Sequence, residues 1–165
     1  MTRADYEAVR TINIAAFGGG HEATLIERLR DDGLVIASLV AVDDEAGIIG
    51  HILFSRLTIH MDDSVMSAVA LAPAAVLPEH QRRGIGSSLI RDGLRACQSA
   101  SERVVIVVGH PSYYPRFGFS ATLVRRLQSP WSGAAFMALE LEPGALAGIT
   151  GQVKYPAAFF NQTVV

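Results

Sequence analysis

The stretch from Val76 to Leu94, VLPEHQRRGIGSSLIRDGL, constrains this chain more than any other. It joins an apolar run to a doubly basic, glycine-bearing turn and then to a helical pattern. Val69 to Leu77 reads as a buried strand, Pro78 to Gly86 as the turn, and Ser87 to about Ser101 as a helix whose first amides lack intrahelical acceptors. Free amides at the positive end of a helix attract phosphate. Gly84 and Gly86 let the backbone approach an anion with no Cβ in between, and Arg82 and Arg83 add charge-assisted contacts at the rim.

What the turn lacks narrows the ligand. A nucleotide P-loop requires GxxxxGK[ST], and no lysine follows either glycine. A dinucleotide fingerprint starting at Gly84 and Gly86 meets Leu89 where its third glycine belongs. What remains is Gln81-x-x-Gly84-x-Gly86, which resembles the acetyl-coenzyme A pyrophosphate loop of the GNAT acyltransferase superfamily. Downstream, Tyr113-Tyr114-Pro115-Arg116-Phe117-Gly118-Phe119 resembles that superfamily's short fourth helix and GF turn, and it follows an apolar strand, Val104 to Val108. The chain resembles a bacterial branch of N-acetyltransferases whose sequences read AVLPEYQRxGIG and later YYPRFGF. The resemblance covers nearly the whole chain. It implies one α/β (α+β) domain over residues 1–165, with a mixed, mostly antiparallel twisted sheet flanked by helices.

Composition agrees with one ordered domain. The 165 residues can bury a sizeable core, and half of them are apolar. A formal charge of -2 argues against nucleic acid as the main partner, which would require a basic face. Neither an apolar run of membrane-spanning length nor a signal-peptide core is read from the sequence, so a cytoplasmic protein is expected. Cys97 is the only cysteine, which excludes an intramolecular disulfide and a thiol-ligated metal cluster; no metal site is expected. Its place within a helical pattern reads as a buried structural thiol. The expected assembly is a monomer or a homodimer.

Asp5 to Phe17 has apolar residues at helical spacing, and Gly18-Gly19-Gly20 breaks the pattern before a second helix, His21 to Arg30, that ends near Gly33. The resemblance implies that the triple glycine edges the acceptor site. Leu34 to Val42 and Ile48 to Ile59 read as strands around the polar turn Asp43 to Gly47, and Met61 to Ser64 turns into the strand that ends at Leu77. These segments predict an antiparallel meander. Further strands are expected at 104–108, 135–141 and, weakly, 152–155, with a short helix near 113–117. The superfamily usually begins with a strand; only Met1 to Ala4 precede the first helix here, so that strand is expected to be very short or absent. Pro73 within a strand marks either a bulge or an edge, because proline cannot donate to a ladder.

Acyl transfer from a thioester to an amine requires a neutral amine, a stabilised oxyanion and a proton for the leaving thiolate. A lysine-like amine is neutral in about one molecule in a few thousand at pH 7, a deficit of about 4 to 5 kcal/mol. For the oxyanion, the resemblance implies a backbone N–H of Val76 or Leu77, and it places Gln81, Arg82, Arg83, Gly84, Ile85, Gly86 and Ser87 around the pyrophosphate. Tyr114 matches the usual general acid, with Tyr113 as the alternative at that position. No acid lies between Ser67 and Leu77, where many members carry a glutamate. The base is therefore open among His51, His110, Glu79, Glu22 and a water chain. The implied activity is transfer of acetyl from acetyl-coenzyme A to a primary amine in a ternary complex; a non-catalytic acyl-coenzyme A sensor is the alternative. Glu22, Glu140 and Glu142 are candidates for attracting a cationic acceptor, and the alanines at 68, 70, 72 and 74 leave room for a longer acyl chain.

Overall fold

A computed structural model describes residues 1–160. Helix α1 (Arg3–Phe17) starts two positions earlier than Asp5, because Thr2 caps it. The Thr2 hydroxyl accepts from the Asp5 amide and the Asp5 carboxylate accepts from the Thr2 amide, a reciprocal capping box. Gly18, at a φ of 78°, ends the helix by donating to the Ile14 carbonyl. Helix α2 (His21–Asp31) follows at once. Val9 and Ile12 of α1 and Ile26 and Leu29 of α2 are buried, so the two helices share one apolar seam. At its surface the Arg10 guanidinium bonds Glu27 at 2.7 Å.

The sheet grows from the expected meander. Strands β1 (Val35–Asp43), β2 (Gly47–His60) and β3 (Val65–Val76) pair antiparallel in sequence order. Helix α3 (Ile85–Ser99) then carries the chain over to β4 (Val104–Val108), which runs parallel to β3, as a crossover helix allows. Strand β5 (Leu127–Gln128) is only two residues long, and β6 (Phe136–Glu140) and β7 (Gly151–Lys154) complete a sheet ordered β5-β7-β2-β3-β4-β6, with β1 also on β2. Among the described residues no strand stands before α1. The first two residues are non-helical and the chain enters the helix directly.

Two irregularities shape the centre of the sheet. The β2–β3 register shifts between Ile52 and Phe54, so Ala72 and Pro73 together stand opposite Leu53. Pro73 thus sits in a bulge of an internal strand, and the edge-strand reading fails. Beside it, β3 and β4 pair only at Val69 with Val105 and Ala70 with Ile106. Past Ala70 the two parallel strands lose their register and leave a wedge.

The two faces of the sheet are covered differently. Alternate residues of β2 point to opposite faces. Ile52 and Phe54 pack with Leu89, Ile90 and Cys97 of α3, whereas Leu53 packs with Val9, Ile26 and Leu29 under α1 and α2. Helix α3 comes close because residue 93 is glycine; a Cβ there would lie 2.0 Å from the Phe54 ring. Full burial of a ring such as Phe54 contributes roughly 2 to 3 kcal/mol. Arg56 fastens the sheet to the turn after α3 through a paired contact with Glu102, at 2.5 and 2.8 Å.

Candidate active site

The turn after β3 is a cradle of unpaired amides. Leu77 donates its N–H to the Ile49 carbonyl at 2.9 Å, so its amide is engaged and the oxyanion candidates narrow to Val76. In an antiparallel pair these bonds alternate, which turns the peptide groups of Val76 away from β2 and toward the wedge. The Val76 carbonyl there accepts from the Gln81 side-chain amide at 3.0 Å. Gln81 therefore pins the turn to the strand with one of its two amide N–H groups. A short 3₁₀ turn, Pro78–His80, precedes two left-handed residues, Arg82 at φ 63° and Gly84 at φ 81°. Helix α3 begins at Ile85, two positions before the expected start, because Gly84 serves as its N-cap. Ser88 is the first residue whose N–H reaches back into the helix, to the Gly84 carbonyl at 3.0 Å. The amides of Ile85, Gly86 and Ser87 have no intrahelical acceptor, and no side chain caps them. Nothing lies within 4 Å of a Cβ built on Gly84, and Arg82 and Arg83 are exposed beside it. Free amides, the helix dipole and two cations converge on open space, a geometry suited to a phosphate.

The two tyrosines have different tasks. The Tyr113 hydroxyl lies 2.8 Å from Ser87 Oγ and 3.8 Å from the Cβ position of Gly86, so Tyr113 belongs to the cradle. Tyr114 packs edge-on against it at 5.2 Å and against Phe119 at 5.7 Å. Its ring rests on Gly109, where a Cβ would be 2.2 Å from Tyr114 Cε2. Burial, with Tyr113 adding to it, pushes the Tyr114 phenol up to about 12. It keeps its proton through the neutral range, and its hydroxyl bonds to no described residue. Such a group is suited to donate a proton and not to accept one.

Tyr114 also lines a cavity of about 520 Å³ that enters the wedge beside Ala70, Ala72, Pro73 and Ala74. This side of the sheet is the one covered by α1 and α2: Phe17, Glu22 and Leu25 contribute wall, as do Trp131, Tyr155 and Phe159 from late in the chain. The anion cradle lies on the α3 face and the cavity opens on the other, with Tyr113 and Tyr114 in series between them.

The sequence candidates separate here. His110 is exposed and lines the cavity, and its carbonyl accepts from the amides of Tyr113 and Tyr114. His51 is not at the site. It is fully buried, with Nε2 3.0 Å from Ser38 Oγ and Nδ1 3.5 Å from Asn13 Nδ2. Burial, reinforced by the charge of Arg30, lowers it to about 4, so it is a neutral packing histidine with little affinity for a proton. Glu79 sits on the exposed turn, Glu140 accepts from the Leu146 amide at 2.8 Å, and Glu142 pairs with Arg103. Of the acids considered, only Glu22 reaches the cavity. Cys97 is buried in the α3 seam with its thiol pushed up to about 12 by burial, as a structural thiol should be. Among the described residues no cluster of His, Cys, Asp or Glu could hold a metal, and no helix is long and apolar enough to cross a membrane. Sequence reasoning missed Gly109 and the aromatic wall. An isolated glycine after a strand and rings far apart in the chain carry no local pattern.

Residues 1–122 match the family model described as the acetyltransferase (GNAT) domain. The chain belongs to the GNAT acetyltransferase family. It is 34% identical over 146 residues to the uncharacterized N-acetyltransferase YhbS of Escherichia coli K12, a match covering 87% of this chain and 86% of YhbS. The crystal structure of E. coli YhbS in complex with CoA superposes with a TM-score of 0.87 at 30% identity, covering 98% of this chain and 90% of the other. A GNAT acetyltransferase from Brucella melitensis in complex with acetyl-CoA superposes at 0.79 with 32% identity, covering 96% and 94%. These GNAT relatives share the curled mixed sheet, and the expected fold class stands.

Proposed function

We propose that this acetyltransferase moves the acetyl group of acetyl-coenzyme A directly to a primary amine within a ternary complex. The observation that carries the reading is Tyr114, a protonated phenol whose hydroxyl bonds to no described residue, lining a cavity and separated by one ring from an anion cradle. The GNAT structures solved with CoA and with acetyl-CoA support the choice of acyl donor. So does the cradle itself: three amides without acceptors, open space over Gly84 and two exposed arginines suit a pyrophosphate.

When bound, acetyl-coenzyme A supplies the activated thioester. Ile85, Gly86 and Ser87 hold its phosphates through their amides, with Arg82 and Arg83 at the rim. The Val76 N–H, turned into the wedge, donates to the carbonyl oxygen on which negative charge develops. His110, open to solvent, takes the first proton from the ammonium; Tyr114 gives its proton to the leaving sulfur and regains one from the nitrogen as the amide forms. Direct transfer is supported by the described part of the cavity wall, which holds no cysteine, serine or lysine, and whose Tyr114 keeps its proton through the neutral range and so is a poor nucleophile.

The test measures acetyl-coenzyme A binding by calorimetry and thiol release with and without an amine, with mass detection of the acetylated product. Saturable binding and amine-dependent release are expected. Tyr114→Phe is expected to lower kcat about 100-fold while changing acetyl-coenzyme A affinity less than about twofold. Binding with no amine-dependent release would replace the enzyme reading with that of an acyl-coenzyme A sensor.

A further inference from the structure

The chemistry of the cavity wall speaks to the acceptor, given the amine-acetylation reading above. Phe17 ends α1, Leu25 lies on α2, and Trp131, Tyr155 and Phe159 close the far side. The last three support one another: the Trp131 and Tyr155 rings are 4.6 Å apart and edge-on, Tyr155 and Phe159 are 5.1 Å apart, and Trp131 stacks on Phe160 at 5.3 Å. A wall of mutually packed rings is an apolar, preformed surface, and its volume falls in the range of small-molecule sites. Glu22 is the one carboxylate among the described residues of the cavity; it is half-buried and no described residue pairs with it. Its position in the first turn of α2 also suits the helix dipole, but the dipole does not require a carboxylate facing a ring-lined space.

A polyamine would bring several positive charges to a single carboxylate, and an aminoglycoside would bring many hydroxyls to a wall with few polar groups. Both would leave polar groups unpaired. We infer that the acceptor is a singly charged primary amine on an apolar aromatic body, an arylalkylamine, with Glu22 attracting the ammonium and the Trp131–Tyr155–Phe159 wall enclosing the ring. Transfer forms the nitrogen–acetyl carbon bond and breaks the carbon–sulfur bond. Ammonium and thioester become amide and thiol, with one proton released to solvent through His110.

Trp131 is the chain's only tryptophan, which provides a reporter independent of turnover. The full chain, saturated with coenzyme A, is titrated with phenethylamine, putrescine, spermidine and kanamycin while Trp131 fluorescence is followed. Thiol release from acetyl-coenzyme A is measured with the same four amines. A saturable fluorescence change with phenethylamine is expected, with kcat/KM at least about tenfold above that for putrescine. Glu22→Gln should raise KM for phenethylamine about tenfold with kcat within about twofold. A purely helix-capping Glu22 would shift the melting temperature and leave KM alone. Preference for spermidine or kanamycin, or no saturable response to phenethylamine in a protein that binds acetyl-coenzyme A, overturns the inference while the acetyltransferase reading survives. Failure to bind acetyl-coenzyme A in calorimetry removes that reading and the inference resting on it.

Discussion

The cradle and the cavity meet at the same pair of tyrosines and are built in opposite ways. The cradle uses backbone. Its amides come from consecutive residues, Ile85 to Ser87, and its shape comes from one left-handed glycine and a glutamine that holds the turn to Val76. The cavity uses side chains brought from five separate parts of the chain, from Phe17 to Phe159. A backbone site depends on local conformation and survives changes in most neighbouring side chains. A side-chain site can be refitted to a new acceptor without disturbing the cofactor end. Keeping one substrate site while varying the other is what such a division permits.

The sharpest way to break this division is to put one side chain into the cradle. Gly86→Asp meets only ordinary contacts in the protein, with Tyr113 Oη and Val76 Cγ2 both 3.8 Å from the new Cβ. An acidic residue in the first turn also favours the helix dipole, so the fold should be kept or slightly stabilised. The new carboxylate stands where phosphate would bind, and like charges in one site cost several kcal/mol. Acetyl-coenzyme A affinity should fall by about 1,000-fold or more in calorimetry, with the melting temperature unchanged or raised. Normal binding would remove the cradle from the phosphate site. Gly84 is a poorer probe because its positive φ would add backbone strain.

The same contrast explains what the sequence reveals. Elements that depend on local pattern are legible: the meander, the triple-glycine break, α3 and the short turn at Tyr114 all fall within a few residues of expectation. Their ends are less so, since Thr2 and Gly84 cap helices from positions that periodicity does not weigh. The two-residue β5 is too short for any period to register. Most opaque are the partners of single polar residues. His51 and His110 are equally good bases on paper, and only packing shows that His51 faces Asn13 and Ser38 beneath α1 while His110 opens on the cavity.

That separation of the two histidines has a measurable consequence. The folded His51 binds a proton only near pH 4, whereas the unfolded imidazole does so at 6.5. Above pH 6.5 neither state is charged and this group leaves stability untouched. As pH falls from 6.5 toward 4 the unfolded state gains the proton first, and stability should decline by on the order of 3 kcal/mol. Urea unfolding at a series of pH values measures the slope. His51→Gln should lower stability at neutral pH yet flatten the acid decline, and leave the pH profile of kcat/KM in place. His110→Gln should lower kcat/KM at neutral pH with little change in the stability slope. A catalytic profile that follows residue 51 would overturn the assignment.

The smallest effect concerns the seam itself. Gly109 has an ordinary backbone conformation, so what it provides is room: the Tyr114 ring occupies the space a Cβ would need, 2.2 Å from Cε2. Gly109→Ala must displace that ring or the strand end beneath it, at a cost of about 1 to 3 kcal/mol in stability. Moving the phenol while keeping its hydroxyl should lower kcat by about tenfold, since misplacing a catalytic group by an ångström is already expensive. Acetyl-coenzyme A affinity should hold, because the amides of Ile85 to Ser87 are untouched. The double variant with Tyr114→Phe decides whether the loss runs through the tyrosine. If Gly109 acts only by seating that ring, adding Gly109→Ala to Tyr114→Phe lowers kcat no further. Additive losses would mean that Gly109 serves the site in some other way, and that the seam between cradle and cavity is wider than one phenol.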